Sequence, residues 1–140
     1  MSQTDDVVEI IQLTHRYALA IDRYDPAALL DIFTEDAVLD FSAFGLGTMN
    51  GLDEIAASFA ESRASGRQSM HRISNHVIDI VGEHTAVGTH YTQAFRPGPD
   101  GGQPLVAAQV INEDRYVRSP IGWQVSHRAA TPGVDISFDF

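Results

Sequence analysis

Hydrophobic positions near the start of the chain recur at a helical spacing. The repeat consists of Val7, Ile10, Ile11, Tyr17, Ala18 and Ile21, and it predicts an amphipathic helix. Thr4, Asp5 and Asp6 offer N-caps for a helix that starts near Val7. At about 100° per residue, Asp22 lies on one shoulder of the apolar stripe and Tyr17 on the opposite shoulder. A carboxylate facing the core is costly without a partner, so Asp22 is the first candidate for chemistry.

Two further helices and a strand are predicted before the middle of the chain. Asp25 and Pro26 are typical of a helix start, in which Asp caps and Pro takes the first helical position. Gly51, after Asn50, marks a turn that opens a third helix. The predicted helices span residues 26–33 and 52–64, a strand spans 37–41, and residues 42–49 form either a strand or a pocket-lining loop.

The second half of the chain changes to a period of two, which is typical of strands. Strands are predicted at residues 69–81, 85–95, 105–117 and 123–130. Alternating Val134, Ile136, Phe138 and Phe140 predict a tail that packs on the body or on a neighbouring subunit. Helices followed by antiparallel strands predict an α+β layer architecture. We expect a single domain over residues 1–140, because no linker, repeat or low-complexity segment interrupts the chain.

Strict alternation assigns faces to the candidate residues of the strands. It puts His71 on one face with Ile73, Asn75 and Val77, pointing toward the helices, and puts His76 on the opposite, exposed face. His71 is therefore either a buried structural histidine or a functional one.

Arg128 is the third candidate residue. Alternation puts it with Gln124 and Ser126, opposite Trp123 and Val125. That face is either in contact with solvent or the wall of a polar pocket.

Composition excludes several classes of function. The net charge is −10, and the nine basic residues are all Arg, which argues against nucleic-acid binding and against docking on anionic membranes. Without Cys there are no disulfides or thiolate ligands, which fits a cytoplasmic protein. No two of the six histidines have a tight metal-ligand spacing. We expect no metal and no cofactor.

Five short patterns occur in order along nearly the whole chain. They are Tyr17-x4-Asp22, Phe33-Thr34-Glu35-Asp36-Ala37, Gly51 at a helix start, His71-x3-Asn75 and Trp123-x4-Arg128. In these patterns the chain resembles the SnoaL-like branch of the nuclear-transport-factor-2-like superfamily. It is most similar there to the scytalone dehydratase, bile-acid 7-alpha-dehydratase and hexachlorocyclohexane dehydrochlorinase group.

The resemblance implies a fold and a set of site residues. The fold is a cone-shaped α+β barrel, in which three N-terminal helices pack on a curved, mostly antiparallel sheet. The implied catalytic residues are an Asp22–His71 dyad, with Tyr17 as hydrogen-bond donor and Arg128 stabilising anionic charge. Candidate substrate-binding residues are Phe41, Met49, Phe59 and Asn75. The resemblance also implies a homo-oligomer, either a trimer or a dimer.

The resulting prediction is a cofactor-independent lyase. His71 is the expected general base in a dehydratase-type elimination on a small, apolar cyclic or polyketide-like or steroid-like molecule. Two alternatives remain open at this point. One is a keto-steroid-type isomerase or a cyclase at the same pocket, because isomerisation shares its first step with elimination. The other is a non-catalytic small-molecule-binding protein of the same fold, in which the two side chains only satisfy each other.

Overall fold

Three helices pack on one face of a six-stranded sheet. The computed structural model describes residues 2–66, 68–103 and 105–134. The helices are α1 Gln3–Asp22, α2 Pro26–Ile32 and α3 Leu52–Ala64. The strands are β1 Phe33–Asp40, β2 Thr48–Asn50, β3 Met70–Gly82, β4 Thr85–Arg96, β5 Leu105–Ser119 and β6 Gly122–Pro132. The predicted α+β class is confirmed.

The sheet is open and mixed. Its strand order is β2-β1-β6-β5-β4-β3, and only the β1–β6 pair is parallel. Within the described residues the edge strands β2 and β3 do not pair with each other, so the strands do not close into a barrel. Among those residues no helix is long and apolar enough to cross a membrane.

Helix starts follow the predicted cap chemistry, with one correction. Asp25 caps α2 by accepting the Ala28 N–H at 3.1 Å. Helix α1, however, begins four residues earlier than predicted, because Ser2 and Asp5 form a reciprocal capping box. Asp6 is consequently free to turn inward, where it accepts the indole N–H of Trp123 at 3.0 Å.

The other element predictions differ in detail. The third helix has the predicted bounds. Residues 42–49 contain a short 3-10 helix, Ser42–Phe44, before β2 begins, so most of the segment is a loop. Strand β1 begins at Phe33, which was assigned to the second helix. The predicted tail lies outside the described residues beyond Val134.

Two β-bulges change the faces of the strands. In β3, Asn75 and His76 together oppose one residue of β4, since Ser74 pairs with Tyr91 and Val77 with Thr89. Asn75 takes a left-handed conformation, with φ of 53°, which Asn tolerates better than most residues. His71 and His76 therefore lie on the same, helix-covered face, whereas the predicted face for His76 was opposite. Asn75 itself is exposed, which corrects its expected position beside His71.

The second bulge lies at Ser126 in β6. Arg115 pairs with His127 and Tyr116 with Val125, so Ser126 is the extra residue. After it, Arg128 faces inward on the same side as Trp123 and Val125 and is buried. The prediction from strict alternation, which put Arg128 opposite Trp123, was wrong because alternation does not survive an inserted residue.

The left-handed backbone at Asn75 predicts a specific response to substitution. We expect Asn75→Gly to leave the free energy of unfolding nearly unchanged, because Gly adopts φ > 0 without cost. Asn75→Val should lower it by about 1–2 kcal/mol, since a β-branched residue is strained there. Urea unfolding at pH 7 measures both. The control is Ser74→Val, one residue earlier in ordinary strand conformation, and equal stability of the two valine variants would contradict this account of the bulge.

Candidate active site

Asp22 and His71 meet where the end of α1 crosses the start of β3. His71 Nδ1 lies 2.6 Å from Asp22 Oδ1, and the His71 backbone N–H donates to Asp22 Oδ2 at 2.9 Å. Both carboxylate oxygens therefore have a partner. The side chains are 18% and 17% exposed for His71 and Asp22, so the pair is largely shielded from solvent but not sealed.

This contact selects the form of the imidazole. A carboxylate can only accept hydrogen bonds, so in the neutral ring the proton is on Nδ1. Nε2 then carries the lone pair and is the nitrogen that the pair does not use. His71 thus has a fixed ring orientation and a second nitrogen that Asp22 leaves available, the arrangement that a general base requires.

The imidazole lines a cavity of about 440 Å³ between the helices and the sheet. Most of its wall is apolar, and the polar side chains other than Tyr17 and His71 are Ser58, Glu61, Ser62, Ser69 and Arg96. The apolar lining consists of Ile21, Leu29, Phe33, Leu39, Phe41, Leu46, Met49, Ile55, Phe59 and Ala94. A mostly apolar cavity with few polar groups is typical of a site for a small organic molecule.

The cavity brings together most of the predicted site residues. Tyr17, Phe41, Met49, Phe59 and His71 all contribute to its wall. Asp22 is not in the cavity wall and contacts the His71 ring through Nδ1. Asn75 and Arg128 are not part of the lining: Asn75 is turned outward by the bulge, and Arg128 is buried beneath Tyr17.

Arg128 belongs to a buried group of charged and polar side chains. Its Nε and Nη2 donate to the two carboxylate oxygens of Asp114 at 2.7 and 2.8 Å. Asp114 Oδ2 also accepts the Tyr116 hydroxyl at 2.9 Å and lies 3.0 Å from His90 Nε2. His76 Nε2 lies 3.1 Å from the Tyr116 oxygen. We call these five residues the Asp114 cluster.

Burial and charge shift the pKa values within the Asp114 cluster. Burial works to raise the pKa of the Asp114 carboxyl, but the charge and hydrogen bonds of Arg128, with the bond to His90, outweigh it and hold that pKa below its ordinary value. Burial lowers the pKa of His90. Burial and the neighbouring His90 lower the pKa of His76 to about 4. Both histidines are therefore neutral at pH 7.

Sequence reasoning missed the Asp114 cluster apart from Arg128. The alternation of β4 puts Ala86, His90 and Ala94 on one face, and that of β5 does the same for Asp114 and Tyr116. The sequence therefore contained both sets of residues. It did not show that β4 and β5 are neighbouring strands, and only that pairing brings His90 and Asp114 together.

A second hollow of about 480 Å³ lies on the outer side of α1 and α2. None of the predicted site residues lines it. Its walls carry five charged side chains, which are Glu9, Arg16, Arg23, Asp25 and Asp31. It also lacks a histidine. Because catalysis by a general base needs an oriented base next to bound substrate, the cavity at His71 is the candidate active site. Among the described residues, no three His, Asp or Glu side chains converge in a way that could hold a metal ion.

Comparison with known proteins assigns the family. The sequence model of the SnoaL-like domain matches residues 2–129. The chain belongs to the SnoaL-like family. Domains of this family bind small molecules, in agreement with the apolar cavity.

Relatives of this SnoaL-like chain include proteins from several bacteria. An uncharacterized protein of Mycobacterium tuberculosis (strain ATCC 25618 / H37Rv) is 26% identical over 94% of this chain and 88% of its own length. A Novosphingobium aromaticivorans structure named "putative aromatic ring hydroxylase" matches with a TM-score of 0.84 and 26% identity, over 98% of this chain and 95% of that one. A Streptomyces avermitilis structure named "putative dehydratase from the NTF2-like family" has a TM-score of 0.80 at 18% identity, over 96% and 100% of the two chains. This last likeness shows the NTF2-like fold alone.

The neutral histidines of the Asp114 cluster predict how stability depends on pH. In the unfolded chain a histidine protonates near pH 6.5, whereas His76 in the folded protein does so only near pH 4. The unfolded state therefore binds more protons in this window, and the free energy of unfolding should fall as the pH is lowered from about 6.5 to 4. Urea midpoints at several pH values measure this fall, and His76→Gln should make it shallower.

The control for this pH experiment is His84→Gln, at a histidine whose side chain is 65% exposed. It should leave the pH dependence as it is in the native protein. An unchanged pH dependence in His76→Gln would mean that His76 is not the titrating group.

Proposed function

We propose that this SnoaL-like protein is a cofactor-independent lyase that eliminates water from a small, largely apolar ring compound. The observation that carries this proposal is the Asp22–His71 pair at the wall of the apolar cavity, with Nδ1 engaged at 2.6 Å and Nε2 unused by the pair.

His71 is the general base in the proposed reaction. Nε2 takes a proton from a carbon that is acidified by a neighbouring carbonyl group. The imidazole becomes cationic in that step, and the carboxylate of Asp22, which accepts from both the ring and the backbone N–H of His71, stabilises the cation and keeps the ring in place.

Tyr17 is the proposed hydrogen-bond donor. The electron pair of the broken C–H bond forms the new C=C bond, and the C–O bond on the adjacent carbon breaks. The departing hydroxyl takes that proton from Nε2 of the His71 imidazolium and leaves as water, which restores the neutral base. A phenol at the cavity wall can stabilise the developing negative charge on the carbonyl oxygen or on the leaving oxygen. Arg128 contributes positive charge from behind the Tyr17 ring, 4.5 Å from its centroid.

The cavity indicates the class of substrate. Its ten apolar lining residues favour a ring compound with few polar groups, and a volume of about 440 Å³ suits a small molecule. A bound apolar molecule would displace water from the apolar part of the wall and thereby strengthen the electrostatic interactions of His71 and Tyr17 with the substrate.

A panel of bicyclic β-hydroxy ketones tests the proposal. Dehydration of such a compound gives a conjugated product that absorbs in the ultraviolet, so turnover can be followed directly. We expect His71→Ala and Asp22→Asn each to lower kcat/KM, the former by about 10²–10⁴-fold, because general-base catalysis contributes that much. Thermal unfolding and near-ultraviolet circular dichroism would establish that the variants are folded.

Matched controls are His84→Ala and Asp79→Asn, at an exposed histidine and an exposed aspartate. Both should retain native kcat/KM. Native turnover in His71→Ala would rule out the general base. Incorporation of solvent deuterium next to the carbonyl group without loss of water would favour an isomerase at the same pocket. Binding of the ketones without either reaction would favour a binding protein.

A further inference from the structure

Arg128 is engaged in a way that keeps it away from a substrate. Two of its nitrogens form a bidentate pair with Asp114, at 2.7 and 2.8 Å, and the residue is only 1% exposed. Its side chain does not line the cavity. A planar guanidinium held at two points has a fixed orientation, so Arg128 cannot turn toward a ligand without breaking a buried ion pair.

The fixed guanidinium lies against the face of Tyr17. Its central carbon is 4.5 Å from the ring centroid, within the range of a cation–π contact. Phe33 meets the Tyr17 ring edge-on, with the centroids 5.8 Å apart. The ring thus has a cation on its face and an aromatic neighbour at right angles, while the residue still lines the cavity.

Asp114 holds this arrangement together. It accepts from Arg128 Nε, Arg128 Nη2 and the Tyr116 hydroxyl, and it contacts His90 Nε2. These contacts satisfy both oxygens of a carboxylate that is itself buried. Among the described residues, Asp114 is the carboxylate that pairs with Arg128, so its removal would take away the anionic contact that holds the guanidinium over the Tyr17 ring.

We propose that Asp114 and Arg128 are positioning residues for Tyr17: Asp114 fixes the guanidinium on the ring, and the guanidinium keeps the phenol in place and makes it a stronger hydrogen-bond donor, while neither residue touches the substrate. This inference rests on the proposed role of Tyr17 at the cavity. It also changes the role of Arg128 from the one implied by the family resemblance, in which the arginine stabilises anionic charge directly.

The electrostatic consequence for Tyr17 can be stated group by group. Burial raises the pKa of the Tyr17 phenol, the charge of Arg128 and its hydrogen bond to Tyr17 oppose that rise, and the charges of Asp114 and Asp22 add to it. Three other titratable residues share the cavity wall with Tyr17. They are His71 from β3, Glu61 and Arg96. Within the ion pair, the charge of Arg128 lowers the pKa of Tyr17 more than the charge of Asp114 raises it. Removal of both charges should therefore make the phenol less acidic.

The experiment measures the ionisation of Tyr17 without any substrate. Difluorotyrosine is incorporated at position 17, where its greater acidity brings the titration into a range in which the protein stays folded, and fluorine NMR follows the single label. In the double variant Asp114→Asn/Arg128→Gln, which removes both charges but keeps hydrogen-bonding groups, we expect the phenol pKa to rise by about one pH unit. Arg128→Lys keeps a charge partner for Asp114 but loses the bidentate guanidinium that lies over the ring. It should raise the phenol pKa by less than the double variant does, and it serves if the double variant does not fold.

The protein offers a matched control for this experiment. Arg118 also pairs with a carboxylate and lies over an aromatic ring, with Nη2 2.7 Å from Asp6 and its central carbon 4.7 Å from the Trp123 centroid. The variant Asp6→Asn/Arg118→Gln should leave the Tyr17 titration unchanged. If the phenol pKa is unchanged or lower in the folded Asp114→Asn/Arg128→Gln variant, or unchanged in Arg128→Lys, the inference is overturned.

The titration also separates this inference from the proposed function. A rise in the Tyr17 pKa would support the positioning role even if the ketone panel showed no turnover. An unchanged pKa together with dehydration that depends on His71 would leave the lyase in place and remove only the role of Asp114 and Arg128.

Discussion

The buried ion pair between Asp114 and Arg128 constrains how strands β5 and β6 meet in the interior of this protein. Taking two charges out of water is expensive, and a bidentate pair offsets that cost only when the remaining polar atoms are also satisfied. Tyr116 and His90 supply those further partners from strands β5 and β4. Because the guanidinium comes from β6, the pair also requires that these three strands be in one register.

The Asp114 cluster fills one part of the space between the helices and the sheet, and the apolar cavity occupies another. Tyr17 lies at the boundary, with Arg128 on one face of its ring and a place in the cavity wall. His71 reaches the same cavity from β3, held by Asp22 at the end of α1. Two carboxylates thus organise the interior. Asp114 is itself buried, and Asp22 orients a base that retains limited access to solvent.

Much of the architecture was predictable because local patterns carry it. Asp25 and Pro26 predicted the start of α2, and the period of 3.6 residues predicted α1 and α3. Turn residues predicted where one strand ends and the next begins. The helical period placed Asp22 on the shoulder of the buried stripe, and alternation placed His71 toward the helices, but their pairing was expected only because the family resemblance implies it. The faces of Arg128 and His76 were not predictable, because each follows a bulge in which one inserted residue reverses the alternation.

The class of fold, the cap of α2 and the residue types available for chemistry could be read from the sequence, because they depend on neighbours within a few positions or on composition. Which candidate side chains share a cavity depends on the tertiary structure. It turned Asn75 outward and buried Arg128 against Asp114, and it left Tyr17 and His71 at one apolar wall. The physical reason is that a strand's register, and with it the direction of every side chain after a bulge, is set by the strand paired beside it.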